Sequence, residues 1–349
     1  MTDRIHRFIV PLKGVNTFCT FRDGEIVPAN ALPLVGHDGH AIDEEFGWVA
    51  WIADDGKTIG RTHLDAVEGE GGFAPLRMPE GYTAGCLLFH RQVLFVGGEC
   101  GEEVIGSFDF ARPEPKWMPL EVPKQFQKHG KRIDDLLLDG VHLIAVDNIV
   151  FPKYLLRYDI SSPRAPRLIG VSDLGPHGVY EHIACGAVGN TWLALLSTSF
   201  GMGGGYAFLS LLNRHDFGEH GWLQAPRNDD FTRRYSGTDP ATARTWHHII
   251  FHGDILLIAA DKDGVGVLDL RSIPRPEHAL VGDEFRYSGR LDGPHRRFVE
   301  ECQASLKYIR PATIGGPVVS VHSIPDSSHC LLVVETESGL DTVGMELPS

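Results

Sequence analysis

The sequence predicts an all-β fold, a β-propeller with six blades preferred and seven possible. Short, strongly apolar, β-favouring runs recur along the chain and start at residues 49, 93, 143, 192, 255 and 331. The first three steps between these starts, of 44, 50 and 49 residues, match the roughly 40–50 residues of a propeller repeat. The later steps, of 63 and 76 residues, fit if those blades carry insertions.

Each of these runs has similar neighbours, which gives about four short strands per repeat. An apolar run that ends in a turn precedes it, and a third and often a fourth run follow. For the repeat near residue 257, HALVGD (278–283) is the expected fourth strand. Four consecutive strands joined by hairpins form one propeller blade. Helical periodicity is absent from nearly all of this pattern.

The two ends of the chain are expected to close the ring. The last repeat has three strands, and RFIVPL (7–12) is left over at the N-terminus. Pairing this N-terminal strand with the last blade would remove an open sheet edge. A seventh blade could come from residues 18–28 or from the interval 283–317.

Two segments share a sharper signature. YDISSPRAPRLIGVSD (158–173) and LDLRSIPRPEHALVGD (268–283) both read as aspartate, then two prolines, then an apolar strand, and FDFARPEPKWMPLEV (108–122) follows it loosely. These segments resemble the LVIVD repeat family, and the resemblance implies a β-propeller without implying an activity. The prolines cannot continue a strand ladder, so they direct the chain out of the third strand and into the fourth.

A single propeller domain over residues 1–349 is expected, with insertions near 225–245 and 283–317. The second insertion contains one short predicted helix within 292–311, with Phe298, Cys302, Leu306 and Ile309 on one face. Insertions of this kind commonly cover one mouth of the ring. We therefore expect the helix at 294–310 to close over a ligand as a lid.

Composition excludes several classes of function. The formal net charge is −14, and an acidic surface repels phosphate backbones, so nucleic acid is not an expected partner. There is no signal-peptide pattern and no apolar run long enough to span a membrane, so we expect a cytoplasmic protein without a membrane anchor. The glycine-rich stretch 201–208 lacks the spacing of a dinucleotide loop, so no nucleotide cofactor is expected.

Polar, titratable pairs mark the first strands of four repeats. Aligning the repeats by the turn after that strand places together His247 and His248, Asp134 and Asp135, Glu181 and His182, and His322 with Ser323. First strands converge in a propeller, so these residues should surround one mouth of the central channel. Side chains alternate along a strand, so one residue of each pair faces the axis. We favour His182, His248 and His322, with His247 and Glu181 as the alternatives.

These residues have a structural and a functional interpretation. Propellers use histidine and aspartate to hydrogen-bond between strands, and buried polar groups need such partners. The functional interpretation is a site for a small-molecule substrate, in which Glu181, Asp134 and Asp135 orient or tune the histidines. Either His182, His248 and His322 bind a divalent metal, or they carry out proton transfer without one, as in a lyase, isomerase or cyclase.

The competing hypothesis is a non-enzymatic scaffold that binds a protein or peptide partner on one propeller face. It predicts a shallow rim of exposed aromatic residues, for which Trp246, Trp222, Phe200 and Tyr206 are the candidates. It also predicts that histidines do not converge.

Overall fold

The structure, a computed structural model, describes residues 6–12, 15–22, 25–34, 39–53, 55–64, 74–99, 103–124, 132–147, 153–174, 181–199, 206–225, 246–280, 291, 293–323, 329–336 and 339–347. The chain forms two compact units, Met1–Asp173 and Leu174–Ser349. The single domain over residues 1–349 stays a prediction.

The described part of the first unit contains four antiparallel sheets. Their strands follow chain order, as β1–β3, β4–β7, β8–β11 and β12–β15. The strands are β1 (His6–Leu12), β2 (Val15–Arg22), β3 (Glu25–Leu34), β4 (His40–Asp43), β5 (Trp48–Ile52), β6 (Ile59–His63), β7 (Ala74–Leu76), β8 (Thr83–His90), β9 (Val93–Glu99), β10 (Ile105–Asp109), β11 (Trp117–Pro119), β12 (Ile133–Asp139), β13 (His142–Asp147), β14 (Tyr154–Asp159) and β15 (Arg167–Asp173).

The described part of the second unit contains three antiparallel sheets, β16–β19, β20–β23 and β24–β26, and one helix. The elements are β16 (Glu181–Val188), β17 (Trp192–Ser199), β18 (Tyr206–Asn213), β19 (Glu219–Gln224), β20 (His248–His252), β21 (Ile255–Ala259), β22 (Val265–Asp269), α1 (Gly293–Ser305), β23 (Lys307–Ile309), β24 (Val318–Ser323), β25 (His329–Thr336) and β26 (Gly339–Glu346). Within the described ranges, no helix is long and apolar enough to cross a membrane.

Neighbouring sheets pack face to face within each unit. Each of the four hydrophobic clusters draws its buried side chains from two consecutive sheets, β4–β7 with β8–β11, β8–β11 with β12–β15, β16–β19 with β20–β23, and β20–β23 with β24–β26. The first strands of consecutive sheets also contact each other, β4 with β8 and β8 with β12 in the first unit, and β16 with β20 and β20 with β24 in the second. This is the packing of adjacent propeller blades.

The apolar runs that define the repeat are the second strands of the sheets. They lie in β5, β9, β13, β17, β21 and β25, as predicted. Every residue of β21 (Ile255–Ala259) is buried, because sheets pack on both of its faces. A strand that is buried on both sides needs a continuous apolar run instead of alternation. The fourth strand β15 alternates between exposed and half-buried residues instead.

The aspartate of the repeated signature has a definite structural role. The Oδ1 atoms of Asp109, Asp159 and Asp269 each accept the backbone N–H two residues later, at 3.1, 2.9 and 3.0 Å. The aspartate therefore forms a turn at the end of the third strand. The Arg164 Nε also donates to Asp109 Oδ2 at 3.0 Å, which links the β14–β15 turn to the end of β10.

The segment after β22 differs from the prediction. Residues 278–280 are not a strand, and 281–283 lie outside the described residues. The fourth strand of this sheet is β23 (Lys307–Ile309), which pairs with β22. The insertion therefore lies inside a blade and not between blades, because the helix α1 is inserted before the strand. The helix is confirmed, but it ends at Ser305, so Leu306 and Ile309 are not part of its buried face.

Closure of the ring through residues 7–12 is not confirmed. Strand β1 pairs with β2 in a three-stranded sheet of its own, and β2 and β3 include residues 18–22 and 25–28 of the segment that offered an alternative blade. The described strands form seven sheets, one more than the preferred six blades. The predicted insertion at 225–245 lies, from 226 onward, outside the described residues.

Candidate functional site

The candidate site lies on the first strands of three consecutive sheets in the second unit. Strand β20 contacts β16 on one side and β24 on the other. The histidines chosen from the sequence belong to these strands, His182 to β16, His248 to β20 and His322 to β24. Both β16 and β24 contain a register shift, after Ile183 and after Val318. Such bulges change the direction of side chains and are frequent beside active sites.

The structure brings His248 and His322 together. Their ring centroids are 5.8 Å apart and the ring planes are tilted by 31°. Strand alternation explains the meeting, because the next residues along the strands, Ile249 and Val321, point the other way and are almost fully buried. The two imidazoles therefore share one face of neighbouring strands. Val321, whose backbone contacts His248, lies 73 positions after it in the chain, next to His322.

His248 is desolvated and neutral. Burial lowers the pKa of its imidazole from 6.5 to about 4, and the hydrogen bond from the Val321 backbone opposes this shift only in part. The side chain is nevertheless not fully buried. The Val321 N–H donates to His248 Nδ1 over a long 3.5 Å. This contact favours the neutral tautomer that carries its proton on Nε2, although at 3.5 Å it is too long to fix that tautomer by itself.

His322 has a hydroxyl partner on its own strand. Ser320 Oγ and His322 Nε2 are 3.0 Å apart. The two residues are two positions apart on β24, so both side chains lie on the same face. The hydroxyl fixes the orientation of the His322 ring next to His248.

The other predicted members of the site have mixed outcomes. His247 lies just before β20, and its N–H donates to the Ala259 carbonyl at 2.9 Å. The backbones of Glu181 and His182 belong to β16, opposite Ser199 and Thr198, but their side chains lie outside the described residues. Their membership in the site stays a prediction.

Asp134 and Asp135 have structural partners in the first unit. Asp134 forms an ion pair with Arg132. Asp135 Oδ1 accepts the Leu136 N–H at 2.9 Å. Burial, and after it the charges of these two carboxylates, raises the pKa of the Cys86 thiol well above its ordinary value. The predicted tuning role of both aspartates at the histidines stays a prediction.

The surroundings of His248 differ from those usual for a metal-binding histidine. Histidines that bind metals through one ring nitrogen almost always donate a hydrogen bond from the other. At His248 the Val321 N–H faces Nδ1 instead, at 3.5 Å, so the contact differs from that pattern. Among the described residues, no group of three histidine, cysteine, aspartate or glutamate side chains is placed to hold a metal.

A second histidine pair was not found from the sequence. His220 on β19 and His295 on α1 stack at 6.4 Å with ring planes 17° apart. Trp192 meets His220 edge-on at 5.9 Å. Burial, then Arg275 and His295, lower the pKa of His220 to about 4. In the sequence, the clue to this pair is the glycine at position 221, directly after His220. A Cβ atom there would lie 2.7 Å from a Val299 methyl and would keep the helix away from β19.

The expected role of the helix as a lid stays a prediction. The helix packs on β19, the fourth strand of its sheet, and on β22. Phe298, Val299 and Cys302 belong to the hydrophobic cluster between β16–β19 and β20–β23. These contacts do not support a position over His248 and His322.

No protein-family model and no curated protein matches the chain. Among solved structures, it is similar to Kuenenia stuttgartiensis hydrazine synthase, with a TM-score of 0.62, 11% identity, and coverage of 95% of this chain and 90% of that chain. It is similar to the β-propeller domain of Myceliophteria thermophila Cps50 (Swd1), with a TM-score of 0.53 and 10% identity. This match covers 99% of this chain and 98% of that chain. It is also similar to Saccharomyces cerevisiae Sqt1, with a TM-score of 0.51 and 8% identity, and this match covers 100% of this chain and 94% of that chain. At such identities these likenesses show the fold alone, a β-propeller.

Proposed function

We propose that the protein is an enzyme that moves protons on a small molecule, with the reaction at His248 and His322. The observation that carries this proposal is the meeting of two imidazoles on neighbouring first strands, of which one is desolvated yet not fully buried. Perturbed titratable groups gathered at one place are a recognised mark of active sites. The reaction class is that of a lyase, isomerase or cyclase.

The two rings are suited to different roles. A neutral His248 donates its Nε2–H to a substrate carbonyl oxygen and stabilises the negative charge that forms there. His322 accepts the proton from the adjacent carbon. The C–H bond breaks, its electron pair moves toward the oxygen, and the proton stays on the imidazole. Returning this proton to another carbon completes an isomerisation, and loss of a leaving group completes an elimination.

The neighbouring residues complete the proposed site. His182 and Glu181 on β16 are candidates to contact the substrate from the other side of β20, with His247 as the alternative to His248. The contacts of Asp134 and Asp135 favour a structural role for both. The His248 tautomer favours the metal-free version of the site.

The test is a screen for turnover in heavy water. Purified protein is incubated with a small-molecule metabolite extract, and mass spectrometry records compounds that are consumed or that gain deuterium. Wild-type protein is expected to change at least one compound, and the variants His248→Gln and His322→Gln are expected to lose this change. The matched control is His252→Gln, at the other end of β20. Turnover that survives in both site variants contradicts the proposal.

The alternative, a scaffold for a protein or peptide partner, is less well supported at its predicted rim. Trp246 is fully buried and Trp222 is half-buried, while the side chains of Phe200 and Tyr206 lie outside the described residues. Exposed apolar side chains occur instead on the sheet β12–β15, where Ile169 is 51% exposed. No turnover by wild-type protein in the screen would favour this scaffold.

A further inference from the structure

A cavity of about 430 Å³ lies in the second unit, between the segment that follows β22 and the helix α1. Its volume is within the usual range of small-molecule sites, roughly 300–1,000 Å³. Three prolines and Phe298 provide apolar walls. Charged residues of both signs also line the cavity. The segment contributes Arg275 and Glu277, and the helix contributes Arg297 and Glu301.

The two walls of this cavity are tied to each other. The His295 Nε2–H donates to the His278 carbonyl at 2.9 Å, and the His295 side chain is only 4% exposed although it contributes to the lining. Trp192 stacks on Phe298 at 5.4 Å with ring planes 18° apart. The Arg275 guanidinium lies 6.0 Å from the Trp192 ring. These contacts hold the lining in place before a ligand arrives, which reduces the entropy lost on binding.

The charges have a regular arrangement along the helix. Arg297 lies one turn after the N-terminus of the helix, where the positive end of the helix dipole favours an anion, and the first turn contains no acidic residue. Glu301 follows one turn later on the same face, so the two side chains are neighbours. The opposite wall repeats this pairing, with Arg275 and Glu277 two residues apart. A ligand in the cavity therefore meets both positive and negative groups beside an apolar surface.

We propose that this cavity binds a small zwitterion with an apolar side chain, such as a free aromatic or aliphatic α-amino acid. The ligand carboxylate faces Arg297 and Arg275, its ammonium group faces Glu301 or Glu277, and its side chain packs on Phe298 and the prolines. A ligand with only a negative charge would be repelled by the two glutamates, and a ligand with only a positive charge would be repelled by the two arginines. Neither His248 nor His322 lines this cavity, and the proposal does not depend on the proposed reaction.

The test is calorimetric titration of the full chain with L-phenylalanine, L-leucine and L-tryptophan at millimolar concentration. Phenylpropionate lacks the ammonium group and phenethylamine lacks the carboxylate, so both are expected to bind at least about tenfold more weakly than L-phenylalanine. Arg297→Gln and Glu301→Gln are each expected to weaken L-phenylalanine binding by at least about tenfold. Arg296→Gln and Glu300→Gln, on the same helix but outside the lining, are expected to leave it unchanged.

The outcomes separate clearly. Binding of phenylpropionate as tight as that of L-phenylalanine overturns the zwitterion assignment. Equal weakening in the control variants, or binding of none of the three amino acids, overturns the site. The melting temperature of each variant is recorded beforehand, and all four substituted side chains are exposed, so folded variants are expected.

Discussion

Acidification should unfold the protein in a pH range where its carboxylates are still ionised. His248 and His220 both have a pKa of about 4 in the folded protein and about 6.5 when unfolded. Below pH 6.5 the unfolded chain binds protons at these rings while the folded chain does not. The stability that the neutral rings provide is therefore present above pH 6.5 and is lost as the pH falls toward 4.

The magnitude follows from the two shifts. Each corresponds to about 3 kcal/mol between pH 6.5 and 4, because one pH unit of difference is about 1.4 kcal/mol per proton. Together the two histidines account for about 6 kcal/mol, which is comparable to the whole stability of many domains. Asp109, Asp159 and Asp269 have pKa values held below their ordinary 3.8, so their contribution is lost only at lower pH.

The assay is urea unfolding at several pH values between 7 and 4. The wild-type free energy of unfolding is expected to fall by almost 3 kcal/mol per pH unit in the middle of this range, about twice the single-proton value. His248→Gln and His220→Gln should each remove about half of that slope. His252→Gln serves as the control. The slope is the readout, so a variant that is less stable at every pH still gives an answer. A slope that is unchanged in both variants refutes the reasoning.

Three further predictions concern packing around the helix and between sheets. Phe298→Ala should lower the free energy of unfolding by about 3–5 kcal/mol, because the ring is 2% exposed, while Glu300→Ala on the exposed side should change it by less than about 0.5 kcal/mol; urea unfolding measures both. Asp254→Ala should lower the free energy of unfolding by about 1.5–3 kcal/mol in the same assay. Both carboxylate oxygens accept hydrogen bonds from Thr191 in the neighbouring hairpin, at 2.8 and 2.9 Å. A decrease below about 0.5 kcal/mol would contradict this prediction. Gly221→Val should displace the helix, since a Cβ atom would lie 2.7 Å from a Val299 methyl. The expected result is faster amide hydrogen exchange across the helix. Unchanged exchange would show that the close contact is absent.

The sequence was most informative where burial leaves little choice of residue. The second strands are buried on both faces, so β9 and β21 are continuous apolar runs that repeat at blade spacing. The fourth strands β11, β15 and β23 carry weaker signals, because none of their residues is buried. For this reason the apolar pattern predicts a strand at 278–283 and not at Lys307–Ile309, whose residues are all exposed.

The candidate site was predictable only in part. Alternation along a strand predicts that one residue of each polar pair faces the axis without saying which one, and the structure brings the rings of His248 and His322 to 5.8 Å. The contact of His248 Nδ1 with the Val321 backbone cannot be predicted from the sequence, because Val321 lies on another strand. The strand repeat does not predict the pairing of His220 with His295, because only the docking of the inserted helix on β19 brings them together.

The measurement closest to the central claim is an NMR titration of the imidazole nitrogens, with the His248 resonances assigned by comparison with His248→Gln. The proposed site requires that His248 remains neutral, with its proton on Nε2, from pH 7 down to about 4. A ring that instead takes up a proton near pH 6.5, or carries its proton on Nδ1, would contradict the role of this residue as a neutral hydrogen-bond donor in catalysis.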